Sequence, residues 1–362
     1  WSRQSGVDFR CTAERWSLLV IRIRPYSLPL RRPFHSSLGS FETRNGVLVS
    51  IECGPYKGWG EAAPLPGLSV ETLNEAQAEL QSVCDTSIEI PKATADIAPW
   101  VEQRCATASA RFALATGMLD VIAQRENKPI STLLAPNPLK TIPISHLYSD
   151  DEGLLQAKRV GSQTVKMKVG IEALNVDVER VKHVRSIIGP DIPIRVDANG
   201  AWTEAEATVA IQQMAPLGVT SMEEPVAERD LEAMARLRGR GIQIAADESI
   251  RSLTDLNKII SLGAADAVVI KPMLIGTPMA AIEIIQKAHQ ANLKTWVTTT
   301  IDGAVARMMA IHIAAAAPEN ALAPCGLNTG RWLKTDIGQT PEMTESQIDA
   351  PKGPGLGIEV HG

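Results

Sequence analysis

Thr164-Val165-Lys166-Met167-Lys168-Val169 begins a pattern that returns along the following hundred residues and indicates the fold of the chain. It is a short β-branched run that carries charged residues near its end. Similar runs follow at residues 192–196, 219–222, 243–246 and 267–270. Lys166 and Lys168 lie two residues apart, so an extended strand presents both side chains on one face.

Strand-like and helical segments alternate throughout the region that begins near residue 140. Further strand candidates lie at residues 142–147, 295–299 and 321–325, and helical periodicity lies between strands, as at 177–188 and 204–215. Eight strands in this alternation predict an α/β fold whose parallel sheet closes as a barrel. An open doubly wound sheet is the alternative, although no Gly-x-Gly-x-x-Gly loop follows the first strand.

The first part of the chain has a different texture, with strands followed by helices. Residues 17–23 and 46–51 are strand candidates, Lys57-Gly58-Trp59-Gly60 predicts a turn, and an alanine-rich run at 101–124 predicts a helix. This order indicates an α+β domain. The predicted divisions are an extension that is disordered or foreign to the protein (1–15), an α+β domain (16–138), a barrel (139–334) and a C-terminal tail that returns to the first domain (335–362).

Composition excludes several functional classes. A net charge of −5 and a pI near 5.8 give no basic surface for nucleic acid. No apolar run is long enough to predict a membrane span. The five cysteines are scattered without metal-ligand or redox spacing, which is typical of a reducing compartment, so we expect a cytoplasmic protein.

Charged residues stand at the ends of five successive predicted strands. We call them the strand-end set: Lys168, Asp197, Glu223, Asp247 and Lys271. In a barrel, the carboxyl ends of parallel strands meet at one mouth, where barrel enzymes hold their active sites. Solvated surface charge has no reason to keep the period of the barrel, so the set predicts a functional site.

The residue types of this set predict its chemistry. Three carboxylates without histidine or cysteine form an oxygen site that suits Mg²⁺ or Mn²⁺. A metal that binds a substrate carboxylate stabilises the charge that develops when the adjacent carbon loses its proton. We expect Lys168 to be the base, helped by the neighbouring ammonium of Lys166. Lys271 lies across the mouth, as a second acid or base or as a stabilising cation.

The ordered motifs Lys-Met-Lys, Val-Asp-Ala-Asn, Glu-Glu-Pro, Asp-Glu-Ser and Ile-Lys-Pro resemble the enolase superfamily, in its muconate-lactonizing subgroup. The resemblance covers the chain from about residue 18. It implies an α+β capping domain, built from the N-terminal segment and the C-terminal tail, over a modified TIM barrel, (β/α)7β. It also implies Mg²⁺ held by Asp197, Glu223 and Asp247. The residues expected to support these ligands without binding the metal are Arg195, Glu224 and Glu248.

Several segments resemble the o-succinylbenzoate synthases of this subgroup. Residues 28–39 and 58–67 are similar to their two active-site loops, and Thr298-Thr299-Thr300 begins a Thr-rich strand end. That strand end continues Ile301-Asp302-Gly303, where Ile-Glu-Ser is usual. A neutral wall with available backbone N–H groups would suit a succinyl tail. The residues expected to contact the substrate are His35, Ser37, Leu65, Asn199, Thr298, Thr299 and Thr300.

The resemblance implies a Mg²⁺-dependent dehydratase of menaquinone biosynthesis that acts on a small-molecule carboxylate. An N-succinylamino-acid racemase is the nearest alternative, followed by a dipeptide epimerase or a cycloisomerase. Dipeptide epimerases carry an Asp-x-Asp pair for the substrate amine, and residues 295–302 contain none. A non-catalytic barrel is the alternative from another class, but lysines beside a structural metal would only weaken its binding. The sequence has no signature of oligomeric state.

Overall fold

An antiparallel sheet in the order β1-β2-β3 opens the fold. The computed structural model describes residues 19–36, 39–84, 91–341 and 346–361, without the side chains of Leu19, His35 and Ser36. The pairing of β1 with β2 shifts register between Pro29 and Phe34. The strands of this sheet are β1 (Leu19–Ser36), β2 (Gly39–Cys53) and β3 (Tyr56–Ala62).

Helices cover one face of this sheet, and the longest of them packs directly on β3. They are α1 (Leu73–Cys84), α2 (Ile97–Glu102), α3 (Ala108–Arg125) and α4 (Ile130–Leu134). The predicted turn at residues 57–60 is wrong, because these residues lie within β3. Gly58 and Gly60 let the strand approach the helix: a Cβ on Gly60 would lie 1.9 Å from the carbonyl oxygen of Ala113.

The rest of the chain alternates strands and helices around a parallel sheet. The strands of this part of the chain are β4 (Thr141–Pro143), which lies outside the parallel sheet, β5 (His146–Leu147), β6 (Val165–Lys168), β7 (Ile194–Asp197), β8 (Val219–Glu223), β9 (Gln243–Ala246), β10 (Ala267–Ile270) and β11 (Lys294–Val297). Its helices are α5 (Asp151–Arg159), α6 (Leu174–Ile188), α7 (Glu204–Met214), α8 (Leu231–Leu237), α9 (Leu253–Leu262), α10 (Pro272–Ile275), α11 (Pro278–Gln290) and α12 (Ala304–Ala315). Short 3₁₀ turns lie at Thr94–Asp96, Ala215–Leu217 and Thr329–Trp332.

The parallel sheet runs in the order β11-β10-β9-β8-β7-β6-β5. The segment predicted as its eighth strand, residues 321–325, makes isolated bridges instead of a continuous strand. Pro324 has no N–H to donate, which interrupts a ladder. The segment still bonds to both edges of the sheet, since Thr295 N donates to Ala321 O at 3.1 Å and Ser145 N donates to Cys325 O at 2.9 Å. The curled parallel sheet with a capping domain confirms the predicted fold class.

The C-terminal tail contacts both parts of the chain. A last strand, β12 (Gln347–Asp349), pairs antiparallel with β4. Further on, Gly355 N donates to Lys128 O at 2.9 Å and Leu356 N donates to Asp120 Oδ1 at 2.9 Å. The residue boundaries of the domains stay a prediction.

A single apolar core joins the sheet, the helices and the barrel wall. The inner strands contribute fully buried residues such as Val196, Met222 and Ile244. Because these side chains are fully buried, the strands form a packed base for the polar residues at their ends.

Within the described ranges, no helix combines the length and apolarity that crossing a membrane requires.

Candidate active site

Adjacent strands bring the acidic residues of the strand-end set together. Along the ladder, Lys168 pairs with Asp197 and Asp197 pairs with Glu223, while Asp247 follows the last residue of β9. The carboxylate oxygens of Asp197, Glu223 and Asp247 lie within 4.8 Å of one another, and all three residues are buried. The predicted convergence of these three carboxylates is therefore present in the structure.

Two lysines flank this acidic triad. Lys166 Nζ lies 2.5 Å from Glu223 Oε2 and 2.9 Å from Asp197 Oδ2, and Lys271 forms an ion pair with Asp247. Burial alone would lower the pKa of Lys166, but the surrounding carboxylates outweigh it and raise that pKa above its usual value. The same balance raises the pKa of Lys271, mainly through Asp247. Both side chains are therefore cations.

Glu223 is the most enclosed of the three acids. Burial raises its pKa, partly opposed by the nearby ammonium of Lys166. The indole N–H of Trp296 donates to its Oε1 at 3.0 Å, and Arg195 Nε lies 3.8 Å from the same oxygen. The Arg195 guanidinium stacks over the Trp296 ring, 3.7 Å from the centroid. Sequence reasoning missed Trp296, whose indole N–H on a buried strand was the available signal.

Glu224 holds the backbone next to the triad and does not face it. Its carboxylate accepts hydrogen bonds from Asp247 N at 2.7 Å, from Ser249 N at 3.3 Å and from the Ser249 hydroxyl. Burial raises the pKa of Glu224 to about 7. Because these hydrogen bonds fix the peptide of Asp247, Glu224 holds that residue in position.

Asn199 and Glu248 lie on the side of the triad nearest to solvent. Asn199 Nδ2 donates to Glu248 Oε1 at 3.0 Å, and Asn199 N donates to Asp197 Oδ1 at 3.2 Å. Burial, followed by the charge of Asp247, raises the pKa of Glu248 to about 8. This pair links the ends of β7 and β9 across the mouth.

Lys168 differs from Lys166 although both lie on β6. Its ammonium lies over the ring of Phe34, 5.2 Å from the centroid. Phe34 belongs to β1 and packs in turn against Phe41 and Trp332. Both lysines therefore lie on the cavity face of β6, where Lys166 reaches the acidic triad and Lys168 reaches Phe34 of the capping domain.

A cavity of about 820 Å³ lies between the barrel mouth and the capping domain. Its roof consists of Pro33, Phe34 and residues 65–68, and its floor includes all three lysines. Of the residues predicted to contact substrate, those that line it are Leu65, Asn199, Thr298, Thr299 and Thr300. Ser37 and the His35 side chain lie outside the described residues. Sequence reasoning missed Arg180, Arg251 and Arg331, which also line the cavity.

The expectation of available N–H groups on the Thr-rich wall is wrong. Thr298 N donates to Ile270 O, Thr299 N to Gly326 O, and Thr300 N to the Asp302 carboxylate. The hydroxyls are also engaged, since Thr299 bonds to Thr329 and Thr300 donates to Asp302. The N–H groups and hydroxyls of this wall are therefore already paired within the protein.

The donor set of the triad suits a hard divalent cation. Its three carboxylates are close together, buried and free of nitrogen or sulfur donors. Burial of three acids at one point is costly without positive charge beside them. The triad could therefore hold a metal ion, with Lys166 and Lys271 at its edges.

Two family models match the chain. The model described as "Enolase C-terminal domain-like" matches residues 152–362, which is more than half of the chain. The model described as "MenC, N-terminal domain" matches residues 21–111. The first match covers the strands that carry the triad, and the second covers the segments that form the roof.

Individual relatives match most of the chain. An o-succinylbenzoate synthase from Yersinia enterocolitica is 32% identical over 284 residues, 77% of this chain and 81% of that protein. An N-succinyl-L-Arg/Lys racemase from Bacillus cereus is 26% identical over 361 residues, 95% of each protein. The solved dipeptide epimerase of Enterococcus faecalis, complexed with Mg and L-Leu-L-Tyr, is 25% identical with a TM-score of 0.85, over 94% of this chain and 98% of that one.

The chain belongs to the enolase superfamily, whose members bind Mg²⁺. Muconate cycloisomerases are also among its relatives, so the predicted family is confirmed. The relatives bear the names of different reactions at similar identities. The specific activity must therefore be argued from the roof and the mouth of this chain.

Proposed function

We propose that the chain is a Mg²⁺-dependent o-succinylbenzoate synthase of menaquinone biosynthesis. It would remove water from 2-succinyl-6-hydroxy-2,4-cyclohexadiene-1-carboxylate to give 2-succinylbenzoate. The match of residues 21–111 to the MenC N-terminal domain carries this proposal, because that region supplies the roof above Lys168. The Yersinia enterocolitica synthase, at 32% identity, supports the same activity.

The three carboxylates of Asp197, Glu223 and Asp247 would hold the metal ion. Bound Mg²⁺ would supply positive charge against the substrate carboxylate as the adjacent carbon loses its proton. Lys168, acting as the unprotonated amine, would remove that α-proton, since its side chain lies on the cavity side of β6. The same amine would then return the proton to the departing hydroxyl, so that water leaves and the ring becomes aromatic.

The other two lysines would act as cations. Lys166 bridges Glu223 and Asp197, and this position suits a residue that keeps the ligand carboxylates oriented. Lys271 approaches from β10, on the opposite side of the triad, where its charge would stabilise the anionic form of the substrate. Aromatisation supplies much of the driving force, so dehydration requires one proton-transferring lysine.

A racemase of N-succinylamino acids is the second candidate. The Bacillus cereus relative, matched over 95% of each chain, supports it. Lys168 and Lys271 both line the cavity and come from β6 and from the end of β10, the strands on either side of those that carry the triad. This placement also suits proton removal on one face and delivery on the other. One site could catalyse both reactions, because each begins with loss of a proton next to a carboxylate.

The decisive experiment follows turnover of the cyclohexadiene carboxylate by the purified chain with Mg²⁺ and with excess chelator. We expect 2-succinylbenzoate to form with Mg²⁺, to stop with chelator and to resume when Mg²⁺ is restored. Absence of turnover with Mg²⁺ would contradict the proposal.

Solvent deuterium separates the two candidates. A racemase incorporates deuterium at the α-carbon of N-succinyl amino acids, and Lys271→Ala abolishes racemisation while Lys168 can still exchange the α-proton of one enantiomer. A synthase alone shows no such exchange, and Lys271→Ala lowers its rate without abolishing dehydration. Lys258→Ala, which removes a lysine from the exposed side of α9, is the matched control.

A further inference from the structure

A buried polar cluster joins the capping domain to the Thr-rich wall of the cavity. We call it the bridging cluster, and its members are Tyr26, Arg44, Glu61 and Asp302. The first three come from β1, β2 and β3, and Asp302 follows β11. None of the four lines the cavity itself. Arg44, Glu61 and Asp302 nevertheless bond to segments that do, or to the turn that follows them, and Tyr26 bonds to Glu61.

Arg44 connects the roof to the wall through one guanidinium group. The residue is 2% exposed. Its Nη1 donates to Pro64 O at 3.0 Å and its Nη2 donates to Ala63 O, directly before the roof segment 65–68. Its Nε donates to Ile301 O at 3.2 Å, and Nη2 lies 3.5 Å from Asp302 Oδ1. Movement of either segment would break these charge-assisted hydrogen bonds.

The wall needs such support because Ile301 has a strained backbone. Its φ is +59°, in the left-handed region that β-branched residues avoid. Strain of this kind persists only where surrounding contacts impose it. Here Arg44 binds the carbonyl of Ile301, and Asp302 accepts hydrogen bonds from both the N–H and the hydroxyl of Thr300.

Glu61 fixes the other end of the wall. Its Oε1 accepts a hydrogen bond from Gly303 N at 2.6 Å, and its Oε2 accepts one from Ala306 N at 2.9 Å. These donors belong to the first turn of α12, where a carboxylate is favoured by the helix dipole. The Tyr26 hydroxyl donates to Glu61 at 2.6 Å and orients it. The capping domain therefore sets where α12 begins.

We infer that Arg44 and Glu61 are positioning residues that hold roof and wall in one arrangement and thereby set how tightly the cavity binds the non-reacting part of the substrate. The inference rests on the proposed function only for the identity of that substrate. The lysines and the triad stand on strands β6 to β10, which the bridging cluster does not bond to. Loss of the cluster should therefore weaken binding more than it slows chemistry.

The test compares Arg44→Lys with Arg185→Lys. Both arginines donate to several backbone carbonyls, but those that Arg185 binds, in Leu217, Ile192 and Gly218, belong to neither the roof nor the wall of the cavity. We expect Arg44→Lys to raise KM about tenfold with kcat within twofold, because it loses binding shared by ground and transition states. We expect Arg185→Lys to leave KM within twofold. The Mg²⁺ concentration for half-maximal activity should not change in either variant.

Amide hydrogen exchange tests the same inference without any substrate. The amides of Thr300 and Gly303 should exchange at least several-fold faster in Arg44→Lys and remain unchanged in Arg185→Lys. This measurement also decides the inference if the wild-type chain does not turn over the cyclohexadiene carboxylate, an outcome that would contradict only the proposed function. Unchanged exchange, or an unchanged KM in an active enzyme, would overturn the inference.

Tyr26→Phe keeps the test valid if Arg44→Lys does not fold. It removes only the hydroxyl that orients Glu61. We expect a rise in KM of about threefold and faster exchange at Gly303, with kcat preserved. A Tyr26→Phe enzyme with wild-type KM and wild-type exchange at Gly303 would overturn the role of Glu61.

Discussion

The mouth of the barrel and the capping domain are assembled by opposite means. At the mouth, charged side chains meet on apolar strands, as where Lys166 bridges Glu223 and Asp197. In the capping domain, backbone meets backbone, because Gly58 and Gly60 leave room for α3 against β3. Charges can change at the mouth while the strands beneath remain packed, whereas the capping domain tolerates little change of shape. The charged groups therefore lie in one region, whereas the other region depends on close packing.

Removal of Lys168 should give the largest effect and should spare the fold. We expect Lys168→Ala to lower kcat at least about 10³-fold, since a positioned general base contributes on the order of 10²–10⁴. The free energy of unfolding should fall by no more than about 1–2 kcal/mol, because the variant loses a weak ring contact with Phe34 and one of the ammonium groups that lower the pKa of Asp197, while Lys166 remains. Turnover assays and urea denaturation measure the two quantities.

Lys182→Ala is the control for this variant. Lys182 is an exposed lysine on α6 that pairs with Glu179, so its removal should alter neither quantity. A Lys168→Ala enzyme that keeps a tenth of wild-type activity would show that another group is the base.

A methyl group added at Gly60 should destabilise the capping domain, whereas Lys168→Ala should leave its packing intact. The new Cβ would meet the Ala113 carbonyl at 1.9 Å, so β3 and α3 must separate. We expect Gly60→Ala to lower the free energy of unfolding by at least about 3 kcal/mol, at the upper end for overpacking. Urea denaturation measures this loss.

Gly54→Ala is the matched control in the turn between β2 and β3. Gly54 has a φ of +60°, but a Cβ there would meet nothing within 4 Å. Only backbone strain remains, so we expect a loss of about 1–2 kcal/mol. Equal losses in the two variants would contradict the close-packing argument.

The same contrast explains what the sequence could predict. The strand-end set was predictable because each member follows a local apolar run, and the barrel repeats that run at a regular period. The order of the strands and the direction of Lys166 and Lys168 follow from the same local rules. These features require no knowledge of which distant segments touch.

The missed features all depend on distant contacts. Gly58 and Gly60 resemble a turn until α3 is known to pack on them. The partner of Trp296 is Glu223, on a strand far away in the sequence, and the N–H groups of the Thr-rich wall are consumed by neighbours that periodicity does not reveal. Single-sequence patterns give the type of element and its exposed face, but not the partner of each polar group.

Buried acids of the two regions have pKa values shifted in opposite directions, so they affect the pH dependence of stability differently. At the mouth, Lys166 and Lys168 overcome burial and hold the pKa of Asp197 below its usual range. In the capping domain, burial raises the pKa of Asp120 from 3.8 to about 6, despite hydrogen bonds from Trp59 N and Leu356 N. Between pH 3.8 and about pH 6, the folded chain binds more protons than the unfolded chain. The contribution of Asp120 to the free energy of unfolding therefore falls as pH rises.

We expect the stability difference between wild type and Asp120→Asn to fall by up to about 3 kcal/mol from pH 4 to pH 7. The difference isolates Asp120, since all other groups titrate in both proteins. Urea denaturation at a series of pH values measures it. A difference that is constant or rises with pH would contradict the raised pKa of this carboxyl.

Phe34 lies at the contact between the two regions, and its substitution should give the smallest of these effects. The ring belongs to the capping domain, but it lies against the ammonium of Lys168 at 5.2 Å. We expect Phe34→Leu to lower kcat/KM about fivefold, which corresponds to the roughly 1 kcal/mol of a partly exposed cation–π contact. Phe41→Leu is the matched control, because Phe41 packs on Phe34 at 5.2 Å and does not line the cavity.

The two phenylalanines thus separate packing from orientation of the base. If the ring of Phe34 directs the Lys168 ammonium into the cavity, Phe34→Leu lowers kcat/KM while Phe41→Leu keeps it within twofold. If the aromatic pair matters only because it packs β1 on β2, both variants lose the same activity and the same stability. In that case the mouth would work independently of the capping domain, and the roof would select the substrate only by its shape.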